Sequence, residues 1–403
     1  MERLQNPDTI RERCRELLDR ADADELPHFR LHRERLDATA DYVVATILER
    51  YPNLEIPFHS RWRHFEVGGT DRWAALAEKH AESHRDAVAR ARIDLAVTSV
   101  LLDAGAGDAW RYVEHAGATP LARSEGLAVA SLHMFATGAF SAHLEQPLRA
   151  DAGALLRIVP EDLSAAFQVS ADNPLVGVQG RATLLRHLGE ALGAHPQLFG
   201  RDEPRVGNLY DYLVSRAAGG ELSAREILRA VLVGLGSIWP GRVTIGEHNL
   251  GDVWRHSCIR RDDPSNALVP FHKLSQWLTY SLVEPIEEAG LRVGDLDALT
   301  GLAEYRNGGL FLDLGVLTWR AAENAGRRHD VGAEPVVEWR ALTVALLDEL
   351  AGRLRARLGM SAAQLPLVKL LEGGTWAAGR RAARERRAGG GPPFAIASDA
   401  TVF

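Results

Sequence analysis

Between Phe271 and Leu317 the sequence gathers a lysine, a glutamine, aromatics, two arginines and several carboxylates at spacings that put them on shared faces. At helical period, Phe271, Leu274, Leu278 and Leu282 form one apolar stripe, and Lys273, Gln276, Trp277, Tyr280 and Glu284 fall on the face beside it. An ammonium, an amide, an indole, a phenol and a carboxylate are the groups that line a small polar pocket with aromatic walls. Pro285 removes a backbone donor and is expected to kink or end this helix. A second element, Asp295 to Ala303, leads into Glu304-Tyr305-Arg306-Asn307-Gly308-Gly309, which sets a carboxylate between a helical pattern and a double glycine. Glu304 either points into a cleft as a reacting group or pairs with Arg306 at the turn of a buried helix pair, and the residues alone leave both open.

Three other stretches carry chemistry-bearing residues. In FHSRWRHFEVGG, residues 58 to 69, Phe58, Trp62 and Phe65 serve either as packing or, interleaved with Arg61, Arg63 and His64, as stacking surfaces for a flat ligand. His59 and His64 lack the HExxH spacing of a zinc site. His248, Asp252, Trp254 and His256 in GEHNLGDVWRH are no better spaced for a metal. Ser124 and Glu125 sit at the expected N-terminus of a small-residue helix, where they either cap it or face a pocket. Glu338 lies among apolar neighbours near the start of a helix, as a partner of the helix dipole or of Arg306 or Lys273. Towards the C-terminus, Arg380, Arg381, Arg384, Arg386 and Arg387 form a solvated face or, with the Gly373-Gly374-Thr375 turn, an anion clamp.

The elements that must position these groups are mostly helices. Alanine, leucine and arginine dominate and β-branched runs are scarce, so a mainly α fold with few or no strands is expected. Helices are expected from Asp8 or Thr9 to about Ala21, from His32 to Tyr51, once or twice between Asp71 and Ala104, from Glu221 to Leu235, and over Glu334 to Leu358. The 403 residues read as one large helical domain with a seam near 197–222 and a Gly/Pro-rich segment at 388–403. A net charge of -7 argues against nucleic acid as a partner. The two cysteines, Cys14 and Cys258, indicate neither a disulfide framework nor a zinc ribbon. No signal-peptide core and no run of about eighteen apolar residues is present, so a cytoplasmic location without membrane contact is expected.

Taken together, the runs FHSRWRHFEVGG, RSEGLAVASLHMF, NPLVG, LVPFHKLSQWLTYSLVEP, LTGLAEYRNGGLFLDLGVL and VVEWRALTVALLDEL, with the terminal SDATVF, resemble the uracil-catabolism protein family of fungi and bacteria, described as a domain of unknown function. A more distant resemblance is to the queuosine-salvage family, which hydrolyses the N-glycosidic bond of a modified nucleoside monophosphate. That family has a Lys-Arg-Ala-Gln helix, an acidic-Tyr-Arg motif preceded by threonine, a Leu-Gly-Val-Leu segment and a Glu-x-Arg-Ala-x-Thr helix. Here the corresponding residues are Lys273-Leu274-Ser275-Gln276, Thr300 with Glu304-Tyr305-Arg306, Leu314-Gly315-Val316-Leu317, and Glu338-Trp339-Arg340-Ala341-Leu342-Thr343. This sequence has Glu where the salvage family has Asp, so the carboxylate reaches one methylene further.

The second resemblance implies a largely helical fold similar to queuosine-salvage proteins and helix-hairpin-helix DNA glycosylases. It implies Glu304 as the catalytic carboxylate and Lys273 as its charged partner. Beside them, Trp62, Phe65 and Trp277 are expected as walls, with His64, Ser124, Gln276, Tyr305, Arg306 and Glu338 as further substrate contacts. The implied reaction is hydrolysis of the N-glycosidic bond of ribosylurea or a related (phospho)ribosyl compound, with no cofactor and no metal. The partner is then a small ribosyl or nucleotide molecule, and the oligomeric state stays open. The alternative is a non-catalytic subunit of uracil degradation that binds a nucleotide or a partner enzyme.

Overall fold

A computed structural model describes residues 2–78, 84–103, 105–239 and 243–397; the SDATVF run lies outside the described residues. The fold is mainly α, as composition requires. Strands among the described residues form only five two-stranded pairs, and none of them closes into a larger sheet. No helix there is long and apolar enough to cross a membrane. Two units divide the chain, one comprising Met1–His59, Gly241–Gln276 and Asp295–Phe403, the other Ser60–Pro240 and Trp277–Gly294.

The first unit is built on the helix Glu334–Leu358, whose bounds match the sequence expectation. From Val336 to Leu347 every residue is buried, and the helices Pro7–Asp22 and Leu36–Arg50 pack against it. Pro7–Asp22 starts one residue before the expected cap, because Asn6 accepts the Asp8 N–H and Pro7 occupies the first turn, where no amide is needed. Its Ile10, Cys14, Leu17, Leu18 and Ala21 make the buried stripe. His32 does not begin the next helix. Phe29–Leu31 instead pairs antiparallel with Leu317–Trp319, and the helix starts at Leu36. Leu367–Leu370, a π turn at Leu371–Thr375 and Trp376–Arg386 follow one another without a break. Gly373 and Gly374 sit inside that run, where an added Cβ would meet Ile56 at 2.9 Å and Val43 at 3.0 Å. They permit close helix packing, so the turn that the anion-clamp alternative would use is closed by the core.

In the second unit the helices Arg85–Leu101 and Arg123–Ala136 pack together, and Ser99 Oγ lies 2.6 Å from Ser131 Oγ between them. The expected helix from Glu221 begins at Ala224, because Glu221–Ser223 pairs in parallel with Arg292–Gly294 and Ser223 becomes the cap. Residues 197–222 lie within this unit.

Pro285 does not end its helix, which runs from Lys273 to Glu288. A proline there leaves the Ser281 carbonyl, four residues back, without its helical donor. The Trp62 indole N–H supplies the missing bond at 2.8 Å. Trp62 is buried and also stacks under the Arg92 guanidinium, 4.0 Å from its ring centroid, so it is a repair element for the proline helix. Trp62→Phe is expected to cost about 1–3 kcal/mol by stranding a buried carbonyl, read as a lowered urea midpoint with an unchanged slope.

Candidate functional site

The site in the first unit is assembled from two chain segments that one arginine holds. The strand Leu268–Pro270 turns into the helix through His272, which adopts a left-handed φ of 47°. Asp252 receives the arriving chain: its carbonyl accepts the Phe271 N–H at 3.0 Å, and Oδ2 accepts the Lys273 N–H at 2.9 Å. Oδ1 takes the Trp254 indole N–H at 2.6 Å. Arg340 then binds both carboxylate oxygens at 2.8 Å, and its Nε donates to the Ala303 carbonyl at 3.2 Å. The same guanidinium lies 4.1 Å from the Phe271 ring centroid. Burial by itself would raise the Asp252 pKa, but the Arg340 charge and the donated hydrogen bonds hold it well below the usual carboxylate range. Arg340 thus touches the start of the Lys273 helix and the residue before Glu304.

Gln276 makes a second tie between the same segments. Its amide nitrogen donates to the Phe271 carbonyl at 2.9 Å and to Thr300 Oγ1 at 2.7 Å, while its oxygen accepts the Thr300 N–H at 2.8 Å. Gln276 is buried, and this arrangement uses both donors of its amide on the protein itself.

Glu304 is the N-cap of the helix Tyr305–Asp313. Its two oxygens accept the Asn307 N–H at 2.6 Å and the Arg306 N–H at 2.7 Å, at the positive end of that helix. The double glycine that follows makes room for the next layer: a Cβ on Gly308 would meet the Trp339 ring at 2.6 Å, and the Trp339 indole donates to the Gly308 carbonyl at 3.1 Å. Glu304 and Lys273 are both partly exposed. Burial raises the Glu304 pKa above the ordinary value, against the two amides and the charges of Lys273 and His59, all of which lower it. The carboxylate therefore stands in the field of Lys273, with His59 also favouring its charged form, while its capping bonds fix its direction.

His59 is a residue that sequence reasoning passed over after the zinc spacing failed. Its Nδ1 lies 2.7 Å from Glu372 Oε2, and both side chains are buried. Glu338 is occupied elsewhere. Its Oε1 accepts the His28 and Phe29 N–H groups at 3.1 and 2.7 Å, and its Oε2 faces His256 Nε2 at 3.0 Å, which anchors the Phe29 strand to the long helix rather than reaching Arg306 or Lys273. Arg306 stacks over the Tyr305 ring at 4.6 Å and donates to the Gly390 carbonyl at 2.6 Å. Arg387 binds Asp313 through both nitrogens at 2.6 and 2.7 Å, so residues 387–390 are fastened to the Tyr305 helix.

Trp62, His64, Phe65, Ser124 and Trp277 belong to the second unit. There Arg61, fully buried, is the centre: its Nε donates to Ser99 Oγ at 2.7 Å, its Nη1 lies 3.1 Å from Asp103, and the Ser124 carbonyl is 3.4 Å away. The Phe65 and Trp277 rings flank the guanidinium at 5.9 and 5.8 Å, and His64 meets Trp277 edge-on at 5.9 Å. Among the described residues no group of three His, Cys, Asp or Glu converges as a metal would require.

The model of a protein family of unknown function, DUF1688, matches residues 3–403. The chain belongs to that family. Two relatives are similar to this chain over nearly its whole length. Protein urg3 of Schizosaccharomyces pombe is 40% identical, with the match covering 98% of this chain and 96% of that protein. Uracil catabolism protein 4 of Lachancea kluyveri is 38% identical over 93% of this chain and 92% of that protein.

In this DUF1688 chain, breaking the Arg340–Asp252 pair leaves one buried charge uncompensated, so Asp252→Asn is expected to cost about 3–5 kcal/mol at pH 7. The folded pKa of Asp252 is depressed, so its contribution is present above the unfolded value and lost as pH falls through the folded one. The deficit of the variant in urea unfolding should therefore shrink as the pH is taken down into the acid range.

Proposed function

We propose that this chain acts in uracil catabolism as an N-ribosyl hydrolase, cleaving the N-glycosidic bond of ribosylurea or a related phosphoribosyl compound. The name of one relative supports the pathway. The observation that carries the chemistry is Glu304, a carboxylate fixed by two backbone amides, partly exposed and acted on by Lys273. Breaking a ribosyl C–N bond develops positive charge on C1′ and the ring oxygen, and a fixed carboxylate stabilises that charge more than it stabilises the neutral substrate. Each Glu304 oxygen keeps a lone pair beyond its capping bond, which suffices to orient a water and accept its proton. Lys273 binds the sugar or phosphate oxygens, and its charge opposes the rise in the Glu304 pKa that burial causes. The extra methylene of Glu over Asp is taken up by capping, since the side chain folds back onto its own helix start.

Glu304→Gln keeps one carbonyl acceptor for the helix and should change stability by no more than about 1 kcal/mol. Release of free ribose from ribosylurea should fall by about 10²- to 10⁴-fold. Turnover equal to that of the unaltered chain would remove Glu304 from the reaction, and tight binding with no turnover in either protein would favour a ligand-binding subunit. Because the Glu304 pKa is raised, kcat/KM should fall on the acid side with a midpoint above the ordinary 4.5.

A further inference from the structure

His59 and Glu372 form a buried pair that the proposed reaction has not yet used. A carboxylate only accepts, so the 2.7 Å contact places the hydrogen on Nδ1 and leaves the titrating proton of the ring at Nε2. His59 is docked on the Glu372 helix by its backbone as well, its N–H bonding the Val368 carbonyl at 3.1 Å. The Trp376 ring lies 5.6 Å from the imidazole, one turn beyond Glu372 on the same helix. Ring position, tautomer and backbone are therefore all set by the run Leu367–Arg386.

Glu372 lies in the π turn that interrupts this run. Single π turns inside α-helices cost regular hydrogen bonding and are frequent where a side chain must be re-aimed for function. Here the disturbed backbone is compensated from outside, for Arg50 Nη1 donates to the Glu372 carbonyl at 3.2 Å, and Arg50 Nη2 stands 3.7 Å from Oε1. A buried ion pair is a weak device for stability, since apolar residues of the same volume would serve as well or better. The π turn packs against the helix Tyr305–Asp313 that Glu304 caps, and His59 is among the groups that lower the Glu304 pKa, so the two side chains share one neighbourhood. The charged groups around the imidazole are thus Glu372 with Arg50 beside it, and Glu304 with Lys273 acting on that carboxylate; Lys369 lies over the adjacent Phe58 ring at 5.6 Å.

We propose that His59, oriented by Glu372, is the general acid of the reaction and protonates the departing nitrogen. The proposal rests on the N-ribosyl hydrolase reading. As the C1′–N bond breaks, its electron pair goes to nitrogen, and Nε2–H of the imidazolium delivers the proton that makes the leaving group neutral urea. Water then adds to C1′ and gives its proton to Glu304. Transfer of that proton from Glu304 to His59 restores both groups, so the sum is riboside plus water giving ribose plus urea. Protonation matters here because an unprotonated amide-type nitrogen is a very poor leaving group, which a carboxylate near C1′ cannot remedy.

The test compares His59→Gln, Glu372→Gln and Glu304→Gln on two substrates, N-ribosylurea and 4-nitrophenyl β-D-ribofuranoside, whose phenolate leaves without a proton. His59→Gln should lose about 10²-fold or more on ribosylurea, stay within about threefold of the unaltered chain on the aryl riboside, and show no alkaline limb in kcat/KM. Glu304→Gln should lose both activities. Glu372→Gln should move the alkaline limb to lower pH, because the imidazolium loses its carboxylate; this limb decides the matter if the aryl riboside is not accepted. Equal losses of His59→Gln on both substrates, or an alkaline limb that survives in it, would overturn the role of His59 while leaving the hydrolase reading intact. No cleavage of either substrate by the unaltered chain would instead overturn the reading on which the proposal rests.

Discussion

The buried Arg340–Asp252 pair is the contact on which the geometry of the first unit depends. One planar guanidinium binds the carboxylate with two parallel bonds, takes the Ala303 carbonyl with Nε and covers the Phe271 ring. Asp252 in turn holds the first amide of the Lys273 helix. A lysine would carry the same charge but not the fork, so it could not hold these partners together. Gln276 and Thr300 repeat the connection a few residues further on. The two residues with which the proposed chemistry begins, Lys273 and Glu304, are thereby placed by groups that are themselves buried and hydrogen-bonded.

At Glu304 two effects oppose each other, and burial is the larger. Burial favours the protonated acid, whereas the helix N-terminus, Lys273 and His59 favour the carboxylate. A carboxylate left in water would stabilise a developing cation weakly, because water screens it; one buried without partners would take up a proton. Glu304 has both: burial that lets its charge reach, and amide and cationic partners that oppose its protonation. His59 and Glu372 extend the same arrangement, with a tautomer fixed from behind by a carboxylate.

Much of this was legible in the sequence where the signal is local. The helix Glu334–Leu358 follows from its unbroken 3.6-residue apolar pattern, and the Lys273 face and the Glu304 turn stood out by residue type. What stayed hidden were partners distant in sequence. Pro285 was expected to kink or end a helix, yet the bond that the Ser281 carbonyl lacks is supplied by Trp62, 219 residues from Ser281. Gln276 looked like a ligand contact and is a strut to Thr300. Glu338 was read as a partner of the helix dipole or of Arg306 or Lys273, and its carboxylate pins the Phe29 strand. His59 failed a metal-spacing test, which could not reveal Glu372, 313 residues on. Asp252 carried a usable signal, an acid beside Trp254, Arg255 and His256, but not the identity of Arg340.

The most direct measurement is ¹³C NMR of the protein incubated with N-ribosylurea labelled at the urea carbonyl. Hydrolysis at C1′ predicts a single new carbonyl resonance, that of free urea, growing in step with free ribose. Persistence of the ribosylurea signal, or passage of the label to bicarbonate with ribosylamine formed in place of urea, would contradict the account.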